Sequence, residues 1–138
     1  MVVLARQPSD MVDEAMTQTM HARLCLVSTP GLIRDATCAT IAMTPNVRLA
    51  AVVSGALSAT QLLPHIQLDL ILLDANLPEE EVAALLTWLA DHVPAVRKLV
   101  ARTTTAECDQ ALAFGADAAM RRDELPTKLG LFIADPLP

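Results

Sequence analysis

Asp74 is the side chain whose setting most invites chemistry. It closes the apolar run Leu70-Ile71-Leu72-Leu73 and is followed by Ala75-Asn76-Leu77-Pro78. A short apolar run bounded by polar residues and a turn signal reads as a strand buried on both faces. Open α/β sheets place their functional crevice beyond the carboxyl ends of the strands. A carboxylate leaving such a strand is therefore the first residue to test. Other reactive types give less. His21, His65 and His92 lie in separate segments and match no metal-ligand spacing. Cys25, Cys38 and Cys108 form no C-x-x-C pair, which argues against a zinc site or a disulfide framework and for buried thiols in a reducing compartment. Ser28 and Thr29 read most simply as a helix N-cap. Glu79-Glu80-Glu81 reads as a solvated first turn that complements a helix dipole. Trp88, between Thr87 and Leu89, reads as packing rather than as a ligand platform.

The elements that must position Asp74 follow from periodicity. A first strand is expected over Leu24–Val27, and Thr29-Pro30 opens a helix running to about Ile41. Thr44-Pro45-Asn46 ends it, and Val47–Val53 is the second strand. Ser58-Ala59-Thr60-Gln61 is a capping-box pattern for a short helix that Pro64 curtails. After the Asp74 strand, Pro78 opens a helix whose apolar face is Val82, Leu85, Leu86 and Leu89, ended by Val93-Pro94. Lys98–Ala101 is the fourth strand. Thr104 and Glu107 form a capping box for a helix to Phe114, with Gly115 at its C-cap. Asp117–Met120 is the fifth strand, and Asp123 caps a last helix with Pro126 in its first turn. Leu125, Leu129 and Phe132 make the core stripe of that helix, and Leu131 falls outside it. Alternating strands and helices with short connections imply a doubly wound parallel sheet covered on both faces.

The 138 residues fit one domain with a sizeable core. Residues 1–21 read as an N-terminal extension, with a weak helical stripe over Met11–Thr19 capped by Ser9 or Asp10, either frayed or docked; Met16 and Met20 are alternative starts. Residues 22–135 carry the domain. The chain is 53% hydrophobic but 2% aromatic, so the core is aliphatic. A mean hydropathy of +0.40 suits strands buried on both faces. A net charge of −6 argues against direct nucleic-acid binding as the main role. No apolar run approaches a membrane span, and the N-terminus lacks the charged and apolar regions of a signal peptide. A cytoplasmic location without membrane contact is expected.

Three motifs fall in register along the chain: Leu72-Leu73-Asp74-Ala75-Asn76-Leu77-Pro78, Gly115-Ala116-Asp117 before a short strand, and Val27-x-x-Pro30-Gly31-Leu32-Ile33-Arg34-Asp35. With them, the segment from about Arg23 to Ile133 resembles the CheY-like receiver domain of bacterial two-component response regulators. The resemblance implies a flavodoxin-like (βα)5 sheet in the order 2-1-3-4-5, with Asp74 as the phosphoacceptor of a phosphorelay. It also implies a magnesium ion beside Asp74, held by two acids at the end of the first strand and by the Asn76 backbone carbonyl. Here the acid positions are Ser28 and Thr29, neutral and poor ligands for a hard dication. Thr103 best matches the hydroxyl that the family places after the fourth strand, with Thr104 as the alternative. Arg122 falls where the family has a lysine, and its planar fork does not replace a point charge at a tight site. Arg122 is also readable as a solvated charge or as an ion-pair partner of Asp74, and an ion pair that holds the pocket shut is as readable as a phosphate role. Ala119 stands at the position of the aromatic switch residue.

That pattern resembles an atypical receiver. The expected function is a two-component-type signalling module, not an enzyme, acting through protein–protein contacts with absent or weakened magnesium-dependent phosphorylation of Asp74. No cofactor is expected, and Asp74 alone is a weak metal ligand. The alternative is a phosphorylatable receiver that accepts a phosphoryl group from a histidine kinase on Asp74. A small flavodoxin-like ligand binder is disfavoured, because Gly31 is the only glycine at the first turn. The expected partners are a sensor kinase, a fused or separate output domain, and a second copy meeting it at the fifth helix.

Overall fold

The computed structural model describes residues 21–134. The expected helix over Met11–Thr19 and the terminal Pro136-Leu137-Pro138 lie outside the described residues. The strands are β1 (Ala22–Val27), β2 (Val47–Val53), β3 (Leu70–Leu73), β4 (Arg97–Arg102) and β5 (Ala118–Arg121). The helices are α1 (Leu32–Met43), α2 (Ala56–Leu62), α3 (Glu79–His92), α4 (Thr105–Ala113) and α5 (Leu125–Ala134). All strand pairs are parallel, in the order β2-β1-β3-β4-β5. This is the order that the sequence implied.

The sheet is buried on both faces because its strands are apolar at successive positions. Leu24, Leu26, Leu70, Leu72 and Leu99 face Ile41 of α1 and Leu125 and Leu129 of α5. The alternate residues Cys25, Val27, Ile71, Leu73 and Val100 face Ala59 of α2 and the α3 stripe Val82, Leu85, Leu86 and Leu89. Every residue of β3 is buried. Only parallel crossovers that lay helices on both faces satisfy such a strand. The α5 stripe is as expected at its centre: Leu125 and Leu129 are buried, and Leu131 is 71% exposed. Phe132 is half-buried, with the Arg97 guanidinium 3.9 Å above its ring. Trp88 is half-buried and stacks on His92 at 4.3 Å between ring centroids.

Four local expectations are corrected. Thr29-Pro30 does not cap α1, which begins at Leu32 after Gly31, a residue with φ of 144°. Thr29 is held instead by Asn76, whose side chain bonds both its N–H and its carbonyl. Ser58 does not cap α2; the helix starts earlier, at Ala56. The carboxylate of Glu81 on α3 accepts the Ala56 N–H at 2.7 Å, so Glu81 is no solvated first-turn residue. Asp123 lies within a 3-10 turn, Arg122–Glu124, and pairs with Arg121 at 3.1 Å rather than capping α5. Helix α4 ends at Ala113, with Phe114 at the C-cap and Gly115 next, at φ of 108°. The expected capping box of Thr104 and Glu107 is present. All three cysteines are free; Cys25 and Cys108 are buried and Cys38 half-buried.

Candidate functional site: a closed aspartate and an open cleft

β1 and β3 are neighbours, so their carboxyl ends bring Ser28 and Asp74 side by side across 46 residues of sequence. Asp74 N–H donates to Val27 O at 3.0 Å, and Ser28 N–H donates to Val53 O at 2.9 Å. The ladder thus continues one step past each strand and fixes both side chains. Ser28 Oγ donates to Asp74 Oδ2 at 2.8 Å, and the Ala75 N–H donates to Asp74 Oδ1 at 2.8 Å. Asn76 Nδ2 donates to Ser28 Oγ at 3.0 Å and to Thr29 O at 3.0 Å, while Asn76 Oδ1 accepts the Thr29 N–H at 3.2 Å. Each polar side-chain atom of Ser28, Asp74 and Asn76 has a partner. Asp74 and Ser28 are both 0% exposed.

A magnesium ion does not fit these residues. Asp74 supplies a single carboxylate, and its neighbour Ser28 offers only a neutral hydroxyl, whose proton points at Asp74 Oδ2. The Asn76 side chain presents its N–H donors to Ser28 and Thr29, and a donor is the wrong polarity for a cation. Among the described residues, no group of three His, Cys, Asp or Glu side chains converges.

Ser28, Thr29, Asp74 and Asn76 therefore come together as the sequence suggested. Thr103 and Arg122 belong to a second feature, an open cleft of about 580 Å³ lined by Thr103, Thr104, Thr105, Arg121, Arg122 and Asp123. Asp74 is not among its lining residues. No ion pair joins Arg122 to Asp74 among the described residues, and Arg122 Nε is buried without a hydrogen-bond partner. Ala119 is half-buried against the α3 side of the core.

The sequence reading missed three residues near this edge or beneath it. Glu81 is the cap of α2 described above. Arg102, the last residue of β4, is 6% exposed; its NH1 donates to Leu77 O at 2.9 Å, and its NH2 lies 3.6 Å from Glu107 Oε2. A charge ending the run Leu99-Val100-Ala101 was the signal. Lys98 is buried on the same strand. Its N–H donates to Asp117 Oδ2 at 2.7 Å and its Nζ lies 3.8 Å from that oxygen, which gives the Gly115-Ala116-Asp117 motif a structural role.

No family model matches the chain, and no curated protein matches it by sequence. Solved structures match it closely in shape. The response regulator RcsB of Salmonella typhimurium, described for its conformational dynamism in DNA interaction, matches with a TM-score of 0.71 at 12% identity, over 83% of this chain and 59% of that one. The signal receiver domain of the response regulator NarL from Mycobacterium tuberculosis matches with a TM-score of 0.68 at 18% identity, over 84% of this chain and 98% of that domain. A LuxR-family two-component response regulator from Aurantimonas sp. SI85-9A1 matches with a TM-score of 0.63 at 22% identity, over 83% and 86%. The chain thus has the fold of response-regulator receiver domains and spans 59% of the full-length RcsB chain. No helix among the described residues is long and apolar enough to cross a membrane.

Proposed function

We propose that this chain is a cytoplasmic signalling module of the two-component type, a degenerate receiver that works through protein–protein contacts and not as an enzyme. The observation that carries this reading is the Asp74 carboxylate, fully buried with both oxygens bonded to Ser28 and to the Ala75 amide. Phosphoryl transfer needs concentrated positive charge around the transferring oxygens. Here the nearest side-chain donors are a hydroxyl and an amide. Incubation with beryllofluoride or acetyl phosphate and magnesium is expected to leave the amide NMR signals of Ser28 and Ala75 unmoved. A saturable shift there, absent in Asp74→Asn, overturns the reading in favour of a phosphorylatable receiver.

The partners are proteins: a sensor kinase, an output domain, fused or separate, or a second copy. The net charge of −6 supports protein partners over direct contact with nucleic acid. For self-association the surface is the groove between α1 and α5, flanked by Met43 (86% exposed) and Leu131 (71% exposed). Leu131→Glu is expected to shift sedimentation toward monomer with stability changed by about 0.5 kcal/mol or less. A wild type that sediments as a monomer at high concentration removes this surface from consideration.

A further inference from the structure

Arg102 stands out because nothing in the proposed activity uses it, yet it is almost wholly withdrawn from water. A guanidinium keeps its charge at every accessible pH and is costly to bury unless its donors are used. Its partners come from two different segments. One is the carbonyl of Leu77, at 2.9 Å, in the turn that Asp74 opens; that turn is closed by the Leu77 N–H donating to Asp74 O at 3.2 Å. The other is Glu107, at 3.6 Å, the carboxylate of the α4 capping box. The other Glu107 oxygen, Oε1, accepts the N–H groups of Thr103 and Thr104, at 3.3 and 3.1 Å. The guanidinium is therefore a rigid link between the Asp74 turn and the N-terminus of α4, the two segments that flank β4 at the carboxyl edge of the sheet.

We propose that Arg102 is a positioning residue that locks the turn 74–77 and the start of α4 into one arrangement, so that the face presented by α4 is set without any chemistry at Asp74. This deepens the proposed function and rests on it. A module switched at Asp74 needs an element near it that can take two arrangements. A guanidinium hydrogen-bonded to the turn and ion-paired with Glu107 at the start of α4 opposes relative movement of the two segments, and Ala119 offers no bulky ring to drive it. The bond geometry also explains why a charge ends an otherwise apolar strand: only a long, forked donor reaches both segments. Capping of the Thr104 amide and hydroxyl, with the Arg102 charge adding to it, holds the Glu107 carboxyl below its ordinary range, so the ion pair survives into more acidic solution than an ordinary glutamate allows.

The test is amide hydrogen exchange on the full chain. In Arg102→Met, the amides of Leu77 and of Thr104–Cys108 are expected to exchange at least tenfold faster than in the wild type, while β1 and β3 keep their protection. Arg102→Lys, a single-point donor, is expected to restore one of the two segments but not both. Glu107→Gln retains the Oε1 acceptor and removes the charge, and is expected to loosen the same two segments to a smaller degree. If Arg102→Met fails to fold, Arg102→Lys and Glu107→Gln carry the test. Unchanged exchange at both segments, or a rise spread evenly over the whole sheet, overturns the proposal, because a residue that only adds global stability produces no local pattern. The beryllofluoride experiment on the wild type reads Asp74 separately, so a failure of the Arg102 link and a failure of the proposed function are told apart.

Discussion

The two halves of the crevice at the carboxyl edge of the sheet are built on opposite plans. On the β1/β3 side, every polar side-chain atom of Ser28, Asp74 and Asn76 has a partner within the cluster or on the backbone of Thr29 and Ala75, and Asp74 and Ser28 are shut off from water. On the β4/β5 side, Thr103 and Arg122 line an open cleft, and the Arg122 Nε is buried without a partner. In a receiver fold the two halves would act on a shared phosphoryl group. Here no ion pair joins them among the described residues. A polar cluster in which each atom has a partner can be buried at little cost, and a ligand there has to displace bonds already made.

The largest effect that sharpens this contrast is expected at Ser28. Ser28→Ala leaves Asp74 Oδ2 buried without its hydroxyl partner and should cost about 2–3 kcal/mol in urea unfolding at neutral pH. Asp74→Asn should recover at least about 1 kcal/mol of that loss in the double variant. A single-variant loss below about 0.5 kcal/mol would mean that the network does not hold Asp74. The next effect concerns the metal. Ser28→Asp with Thr29→Asp replaces donors by carboxylates and should raise magnesium affinity about tenfold or more, read by titration. No gain would show that the end of β1 does not face Asp74 in the way that magnesium binding requires.

Cys25 tests burial without matching on the same strand. Desolvation pushes its thiol up to about 11 from an ordinary 9.0. Below the ordinary value both the folded and the unfolded thiol keep the proton, and the native state has its full advantage. Above it the unfolded chain ionises first, so stability should fall as pH rises from 9.0 toward about 11. Cys25→Ala should remove that component of the pH dependence, seen in melting temperature against pH. The smallest effect is at Asp74 itself. Asp74→Asn is expected to change partner affinity by less than about threefold, under about 0.7 kcal/mol. A phosphate-dependent change above about tenfold that this variant abolishes would place function back on the closed half.

Much of the frame was determined by the sequence alone, because it depends on local periodicity. The run Leu70–Leu73 could only be a strand buried on both faces, and the stripe Val82, Leu85, Leu86 and Leu89 could only be the inner face of a helix; both are found so. The box of Thr104 and Glu107 is likewise local, spanning three residues, and it forms as read. Local reading failed where a side chain bonds far along the chain. Ser28 and Thr29 look like a cap until Asp74 and Asn76 arrive from β3 to take their hydrogen bonds. Ser58 looks like a cap until Glu81, from a neighbouring helix, accepts the Ala56 N–H across 25 residues of sequence. Arg102, which the sequence reading missed, takes its role only where Leu77 and Glu107 close around it. Hydrogen-bonding side chains take whichever partner the packed fold presents. Propensity and spacing can place the elements, but only the strand order β2-β1-β3-β4-β5 decided which ends meet at the crevice and which groups there were left unpaired.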